Sequence, residues 1–521
     1  MSKKGKKNST ESLMKDALTS VKGRLASLYL LMMFVVFVLY APEKYGMLAN
    51  NKLLFYRNVT IVFYVLSLLL IIVSLIQRHK KTDRKKFSVQ LVDVAMFLYG
   101  GINLISFLLS DYKSGAMLGY EGWRMGLLTQ LSLVISYFII SCFANKENYV
   151  LEITAGFFVL ESLMVVLQRC TLDPFGFYSG MDWMAWNRRN LLGTIGNINW
   201  LAGCQACLVP VVILTFIRQK KWYLKLAWGV GVFVSLAALI LQSSRSALVF
   251  LAAILAVLFF FSLKEWKRVA DFFIVAGMLF LFMALFSTLR VKLIEPEEIK
   301  GLAEFYSMLW WIPTVLFFGC AAGIITAFRK KTSDETPKSL RMAVYIAAGV
   351  LFISAIGLFI VAQFNDALLD KVPPLSKLRL NDASGSYRIL LWKQSVSYFF
   401  SDGKMKNFLF GLGPDGYGYW SKAKNISLPV IGPFAQSVYT NAHNDYLTTF
   451  MNLGLIGLIL YLSLFVTTVI ELKKQNNREY FLLGLMLIAA YGAHNFFSFQ
   501  QICSTPIFFL LIAFLLRKKK E

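Results

Sequence analysis

Residues 58–76 read Asn-Val-Thr-Ile-Val-Phe-Tyr-Val-Leu-Ser-Leu-Leu-Leu-Ile-Ile-Val-Ser-Leu-Ile, without a single charge, and the basic run Arg78 to Lys86 follows at once. A hydrocarbon core about 30 Å thick needs about 20 apolar residues per helix, and a flanking cluster of Lys and Arg marks the cytoplasmic end of a span. Apolar windows of this kind recur along the chain at 25–40, 88–109, 126–143, 149–168, 196–217, 224–241, 246–263, 270–288, 306–328, 342–363, 447–470, 480–493 and 503–516. With 58–76 they make fourteen. The composition agrees: 521 residues, 57% hydrophobic, 16% charged and mean hydropathy +0.59 are too apolar for a large soluble fold. The expected fold is an all-α integral membrane protein of about 12–14 transmembrane helices.

An even number of spans returns the C-terminus to the side of the N-terminus, and both tails are basic, with Lys3, Lys4, Lys6 and Lys7 at one end and Arg517 to Lys520 at the other. Both are expected to be cytoplasmic. Under this topology 33 Lys and Arg fall inside and 21 outside, nine of the latter in one long loop; long segments translocate largely regardless of charge. The net charge of +25 therefore belongs to short loops, where Arg78 to Lys86 and Arg329 to Lys331 set orientation and touch anionic lipid. It implies no nucleic-acid partner. The organisation read from this is a tail at 1–24, eleven helices across 25–363, a large extracytoplasmic loop at 364–446, three helices across 447–516 and a tail at 517–521. The first run, Leu25 to Tyr40, lacks a small-residue cleavage site, so no cleaved leader is expected. Six cysteines in so long a chain argue against a disulfide scaffold, and Cys204-x-x-Cys207 inside an apolar run reads as packing.

The long loop departs from membrane filler. It carries Pro373-Pro374, Asn381 to Ser386, and Gly411, Gly413, Gly416 and Gly418, the signature of short helices and turns. Ile389, Leu390, Trp392, Val396, Phe399 and Phe400 recur at helical spacing and predict an amphipathic helix on the membrane surface. A smaller outer loop, Arg169 to about Ile195, holds Trp183, Trp186, Arg188 and Arg189, which suit interfacial anchoring.

Several chemistries are absent from the sequence. It has no G-x-x-x-x-G-K-[ST] loop, G-x-S-x-G elbow, H-E-x-x-H or D-x-D, which argues against an ATP-driven pump or a metal hydrolase. Three histidines remain. His79 reads as a solvated bystander in a cytoplasmic loop, and His494, beside Asn495 and two phenylalanines, as a packing or hydrogen-bonding residue. His443 lies in Tyr439-Thr-Asn-Ala-His-Asn-Asp-Tyr-Leu447, where the long loop enters the next span. An imidazole with an ordinary pKa of about 6.5 suits a general base. Asn441, Asn444 and Asp445 could orient it, and a helix N-cap explains Asn444 and Asp445 without explaining the histidine. Arg245, between two apolar runs, and Arg388, at the start of the surface helix, are outer guanidiniums that could grip phosphate oxygens bidentately, although on composition alone an outer arginine near lipid more often contacts a headgroup.

In order, the chain presents Gly193-Thr-Ile-Gly-Asn-Ile-Asn-Trp-Leu-Ala202, Ser244-Arg-Ser-Ala247, Ser386-Tyr-Arg388 with Trp392, Gly411-Leu-Gly-Pro-Asp-Gly416, Ala442-His-Asn-Asp-Tyr-Leu447 and Gly454-Leu-Ile-Gly457. This ordered set, from Gly193 to about Leu462, resembles the O-antigen ligase and polymerase superfamily. The resemblance implies a GT-C-like polytopic glycosyltransferase of the bacterial cytoplasmic membrane, with its catalytic loop on the outer face. Such an enzyme takes a glycan from a polyprenyl-pyrophosphate carrier and joins it, with inversion, to a glycan or lipid acceptor; no metal or other cofactor is implied. It further implies that Arg245 and Arg388 hold the pyrophosphate and that His443 activates the acceptor, with Asn197, Asn441, Asn444, Asp445 and Tyr446 in support. Fourteen spans exceed the roughly twelve usual for the family. Polymerase, ligase and protein oligosaccharyltransferase stay open, with polymerase or ligase preferred. The rival from another class is a transporter or flippase, for which Glu161, within the 149–168 span, would mark a path.

Overall fold

The structure, a computed structural model, describes residues 3–78, 89–145, 147–180, 190–289, 307–328, 334–365, 369, 371–382, 384–426 and 439–516. Most of the basic clusters at 78–86 and 329–331, His79, and Trp183, Trp186, Arg188 and Arg189 lie outside these residues. The chain is helical nearly throughout. The helices are α1 (Lys3–Leu31, carried through a π turn at Met32–Val36 to Leu39), α2 (Leu48–Arg78), α3 (Leu91–Leu109), α4 (Lys113–Leu118), α5 (Leu127–Phe143) and α6 (Asn148–Arg169). There follow α7 (Ile198–Arg218), α8 (Trp222–Leu241), α9 (Arg245–Ser262), α10 (Trp266–Leu289), α11 (Trp311–Phe328) and α12 (Lys338–Phe364). Next come α13 (Ser384–Ser401), α14 (Met405–Phe410), α15 (Tyr417–Ala423), α16 (Asp445–Lys474), α17 (Arg478–Asn495) and α18 (Thr505–Leu515).

A helix stands at each of the fourteen expected spans, and among the described residues eleven helices are long and apolar enough to cross a membrane. Their outward faces carry large hydrophobes, with Phe97 70% and Phe352 68% exposed, a surface that only lipid makes tolerable. The fold is that of an all-α integral membrane protein. The boundaries move where polar residues ride inside a helix. α2 starts ten residues before the apolar window because Lys52, wholly buried, donates to Phe37 O at 2.5 Å and Val38 O at 2.8 Å, carbonyls freed where α1 ends. α18 has eleven residues, a rise of about 17 Å. It is buried on every side, with Phe508 stacked on Tyr491 at 3.9 Å, so protein rather than lipid surrounds its ends. Cys204 and Cys207 are buried in α7, and none of the six cysteines is in a disulfide.

The described residues between α12 and α16 build a cap of short helices whose core, with Met451 of α16, is Leu391, Phe399, Leu412, Tyr417, Trp420, Ile426, Tyr439 and Ala442. The amphipathic helix expected here is α13, but its buried stripe is Leu391, Ser395 and Phe399; Val396 and Phe400 point outward. Ser395 turns inward because its hydroxyl pairs with that of Tyr417 at 2.8 Å.

Cap and bundle are joined where α16 breaks. Gly454 has φ +71°, and an added Cβ would sit 2.2 Å from the Leu409 carbonyl carbon. The carbonyls released by the break find donors in the glycine-rich loop: Leu412 N donates to Met451 O and Gly413 N to Asn452 O, both at 2.9 Å. Asn452 Oδ1 accepts Tyr417 N, and Ser106 Oγ donates to Asn452 O. Gly411 is equally crowded, since a Cβ there would lie 2.3 Å from the Asn452 backbone. Gly454→Ala should therefore lower the unfolding temperature in detergent markedly, the positive φ alone costing about 1–3 kcal/mol. Gly101→Ala in α3, where nothing lies within 4 Å of the new methyl, should leave it unchanged or slightly raised. Equal melting of the two variants would contradict the break.

Candidate active site

The site is assembled at the cap end of the bundle from three segments. The first begins in a two-stranded hairpin, β1 (Leu191–Leu192) and β2 (Gly196–Asn197), unforeseen in the sequence. Its turn is held from within the bundle: Glu161, 1% exposed, accepts Thr194 N at 2.7 Å, and Gln168 Oε1 accepts Gly193 N at 2.7 Å. Thr194 Oγ1 sits between Val38 O at 2.6 Å and Glu161 Oε2 at 2.9 Å. Glu161, which a transporter would use as a path, is thus engaged in holding this turn. Asn197 caps α7 by accepting Asn199 N at 2.9 Å, and Asn199 Oδ1 accepts Ser244 Oγ at 3.0 Å. Ser244 in turn pairs with Ser246 at 2.9 Å. The connection from Gly193 therefore ends on the two serines that flank Arg245, the first residue of α9, whose own side chain is exposed.

The second segment is the distorted start of α13. Gly385 and Tyr387 have φ +64° and +66°. Arg388 donates one terminal nitrogen to Gly385 O at 2.9 Å, while its Nε is buried without a partner among the described residues. One turn later Trp392 Nε1 donates to Ala442 O at 2.8 Å and pins α13 onto the histidine loop. Burial, and then the nearby Arg245 charge, hold the Arg388 pKa below its ordinary value. The two guanidiniums, 143 positions apart in sequence, thus come close enough to repel.

The third segment is the histidine loop. His443 takes φ +47°, with its amide donating to Asn441 Oδ1 at 2.9 Å and its ring edge-on to Phe499 at 5.2 Å. The ordinary imidazole pKa expected from sequence does not survive folding: burial, and then the Arg388 charge, bring it down to about 4. Asn444 is the N-cap of α16, accepting Leu447 N at 3.0 Å. Asp445 is no cap. It is buried and accepts Tyr461 OH at 2.6 Å and Asn495 Nδ2 at 2.9 Å, tying α16 to α17. Tyr446 OH donates to Gly492 O at 2.8 Å and completes that tie.

The predicted residues fall into two groups. Arg245, Arg388 and His443 share one electrostatic neighbourhood, whereas Asn197, Asn441, Asn444, Asp445 and Tyr446 shape the backbone around it. Sequence reading missed the wall opposite, the end of α17 and the residues after it. There His494 is 1% exposed and within reach of the Arg388 charge, Phe496 meets Trp392 edge-on at 5.7 Å, and Phe499 faces His443. The only signal for it was the pairing of His494 with Asn495 in a short loop between spans. Behind the histidine loop a cavity of about 20 Å³, lined by Asn103, Gln130, Asn441, Asp445, Asn452 and Gln500 among others, has room for about one water.

These features define a polytopic helical protein with a cationic site where a cap of short helices meets the bundle. Residues 306–462 match the O-antigen ligase family model. This segment is similar to the O-antigen ligase domain, a likeness that supports the O-antigen ligase superfamily. No curated protein matches the chain. Arg388 and His443 fall inside the matched segment; Arg245, Asn197 and His494 lie outside it and join the site only through the fold.

Within the glycine-rich loop, Asp415 Oδ2 accepts Tyr120 N at 2.6 Å and Met125 N at 3.2 Å, yet burial outweighs these bonds and raises its pKa to about 7. A carboxyl raised on folding is as stabilising as its neutral isostere below the unfolded value of 3.8 and loses that stability as pH climbs through the folded value. Asp415→Asn should therefore gain thermal stability over the parent between pH 4 and pH 7, with the gap constant above pH 7. A gap independent of pH would contradict the raised carboxyl.

Proposed function

We propose that the protein transfers a glycan from a polyprenyl-pyrophosphate carrier to an acceptor hydroxyl at the outer face of the bacterial cytoplasmic membrane, both termini being cytoplasmic. The observation that carries this reading is Arg388, its Nε buried without a partner and the Arg245 charge acting on it, with neither guanidinium in an ion pair with an acid among the described residues. Such a pair is costly alone and favourable around a polyanion. The free amides at the start of α9 add to the attraction.

In the reaction, the acceptor oxygen attacks the anomeric carbon as the bond from that carbon to the pyrophosphate oxygen breaks. One glycosidic bond forms, the acceptor proton passes to His443, and the pyrophosphate leaves on its carrier with both electrons of the broken bond. Direct displacement inverts the anomeric centre. The arginines stabilise the charge that grows on the leaving group, and proton removal contributes roughly 10²–10⁴-fold. The same charges set the order of events. Arg388 helps hold His443 down in the free protein; a bound pyrophosphate offsets that charge and makes the imidazole a better base when donor is present. The isoprenoid tail stays in lipid, which accounts for an enzyme of sugars built almost wholly of membrane helices. The acceptor in this reading is a glycan, as for a polymerase, or a lipid, as for a ligase.

Arg245→Lys and Arg388→Lys should each lower turnover at least tenfold despite keeping charge, because the forked geometry is lost; near-normal turnover in both would leave them as lipid contacts. His443→Ala should lose about 10² or more in turnover in reconstituted membranes while still binding carrier, so that lipid-linked donor accumulates. For the wild type, kcat/KM should rise with pH only around pH 4 and stay level through pH 6.5, since it reports the free enzyme. Wild-type transfer by His443→Ala would remove the base assignment.

A further inference from the structure

His494 stands in the last turn of α17, one turn beyond Tyr491, on the wall whose Phe496 meets Trp392 of α13. It is 1% exposed, and its Nδ1 has no hydrogen-bond partner among the described residues. An imidazole nitrogen shut away from water without a partner is costly and rare. Its surroundings hold the ring firmly. Phe250 of α9 lies edge-on to it at 6.1 Å, and Nε2 faces Gly203 of α7, where an added Cβ would come within 3.1 Å of it and 2.8 Å of Ser504 Oγ. On either side of it in sequence, Gly492 accepts Tyr446 OH and Asn495 donates to Asp445, so the same turn is stapled to the histidine loop. The Arg388 charge acts on His494 as it does on His443, and Arg388 Nε is likewise buried and unpartnered. Two unpaired buried nitrogens thus lie on His494 and on the very cation that acts on it.

We propose that His494 is a further donor-binding residue, its Nδ1–H hydrogen-bonding a phosphate oxygen of the carrier's pyrophosphate between Arg245 and Arg388. The proposal rests on the functional reading above and adds to it a neutral donor at the floor of the site. A neutral N–H suits that place. A third permanent cation would add to the repulsion between the arginines, whereas an imidazole supplies a directed bond without charge. The glycine at 203 has a reason in the same arrangement, since any side chain there would push the ring out of line.

The test uses the full-length protein in nanodiscs and undecaprenyl pyrophosphate without glycan as the probe. His494→Phe, which keeps the ring and removes the nitrogen, should weaken binding roughly tenfold or more, the range for a hydrogen bond to a charged group. His494→Asn, whose amide stands near the Nδ1 position, should recover most of the affinity, and the acceptor KM should stay as in the parent. Should the phenylalanine variant fail to fold, His494→Gln replaces it: its amide reaches the Nε2 position instead, and it should bind as weakly. Arg388→Lys is measured alongside. Parent-like binding by His494→Phe or His494→Gln with weakened Arg388→Lys overturns the role of His494 alone; parent-like binding by all of them overturns the pyrophosphate reading itself. Equal loss in His494→Asn and His494→Gln also overturns the proposal, since ring shape rather than the Nδ1 bond would then matter.

Discussion

A helix broken inside a membrane must find new partners for the carbonyls it releases, because lipid offers none. Here the break at Gly454 frees the carbonyls of Met451 and Asn452, and the loop Gly411–Gly413 answers them with its amides. Much else depends on that exchange. It fixes the cap on the bundle, sets the height at which α16 begins and therefore places the loop carrying His443. It also explains why glycines stand at 411 and 454, where two backbones touch with no space for a methyl group.

From there the site is built by relays of hydrogen bonds in place of direct contact. Glu161 and Lys52, buried deep among the helices, hold the hairpin turn and the frayed end of α1; the hairpin positions Asn197, and Asn199 reaches Ser244 beside Arg245. On the other side Trp392 donates to Ala442 O, which joins the helix bearing Arg388 to the loop bearing His443. Like charges are brought together by groups that are themselves neutral or compensated. The electrostatic strain is thereby concentrated where an anionic ligand would relieve it.

How much of this was legible in sequence follows from the range of each signal. The spans were legible because the hydrocarbon core demands about 20 apolar residues in a row, a local property. Their ends were less so, since Lys52 and Glu161 are polar residues whose partners lie on other helices. Arg245, Arg388 and His443 were legible through residue chemistry and the ordered motifs, but their proximity was not, nor was the fall of the His443 pKa, which needs both burial and Arg388. Asp445 looked like a cap and proved to be a tie to Tyr461 and Asn495, because its partners come from 16 and 50 residues away. His494 was read as a packing or hydrogen-bonding residue for the same reason: nothing in its own loop announces Arg388.

The central claim is that one anion, the carrier's pyrophosphate, is what Arg245, Arg388 and His443 are assembled around. Cryo-electron microscopy of the protein in nanodiscs with undecaprenyl pyrophosphate tests it most directly. The account predicts density for two phosphates between the two guanidiniums, within hydrogen-bond distance of both, with the isoprenoid running into lipid and His443 on the side open to an acceptor. Pyrophosphate density at the opposite end of the bundle, or within it along a path through Glu161, would contradict the account and favour a carrier of lipid-linked substrates.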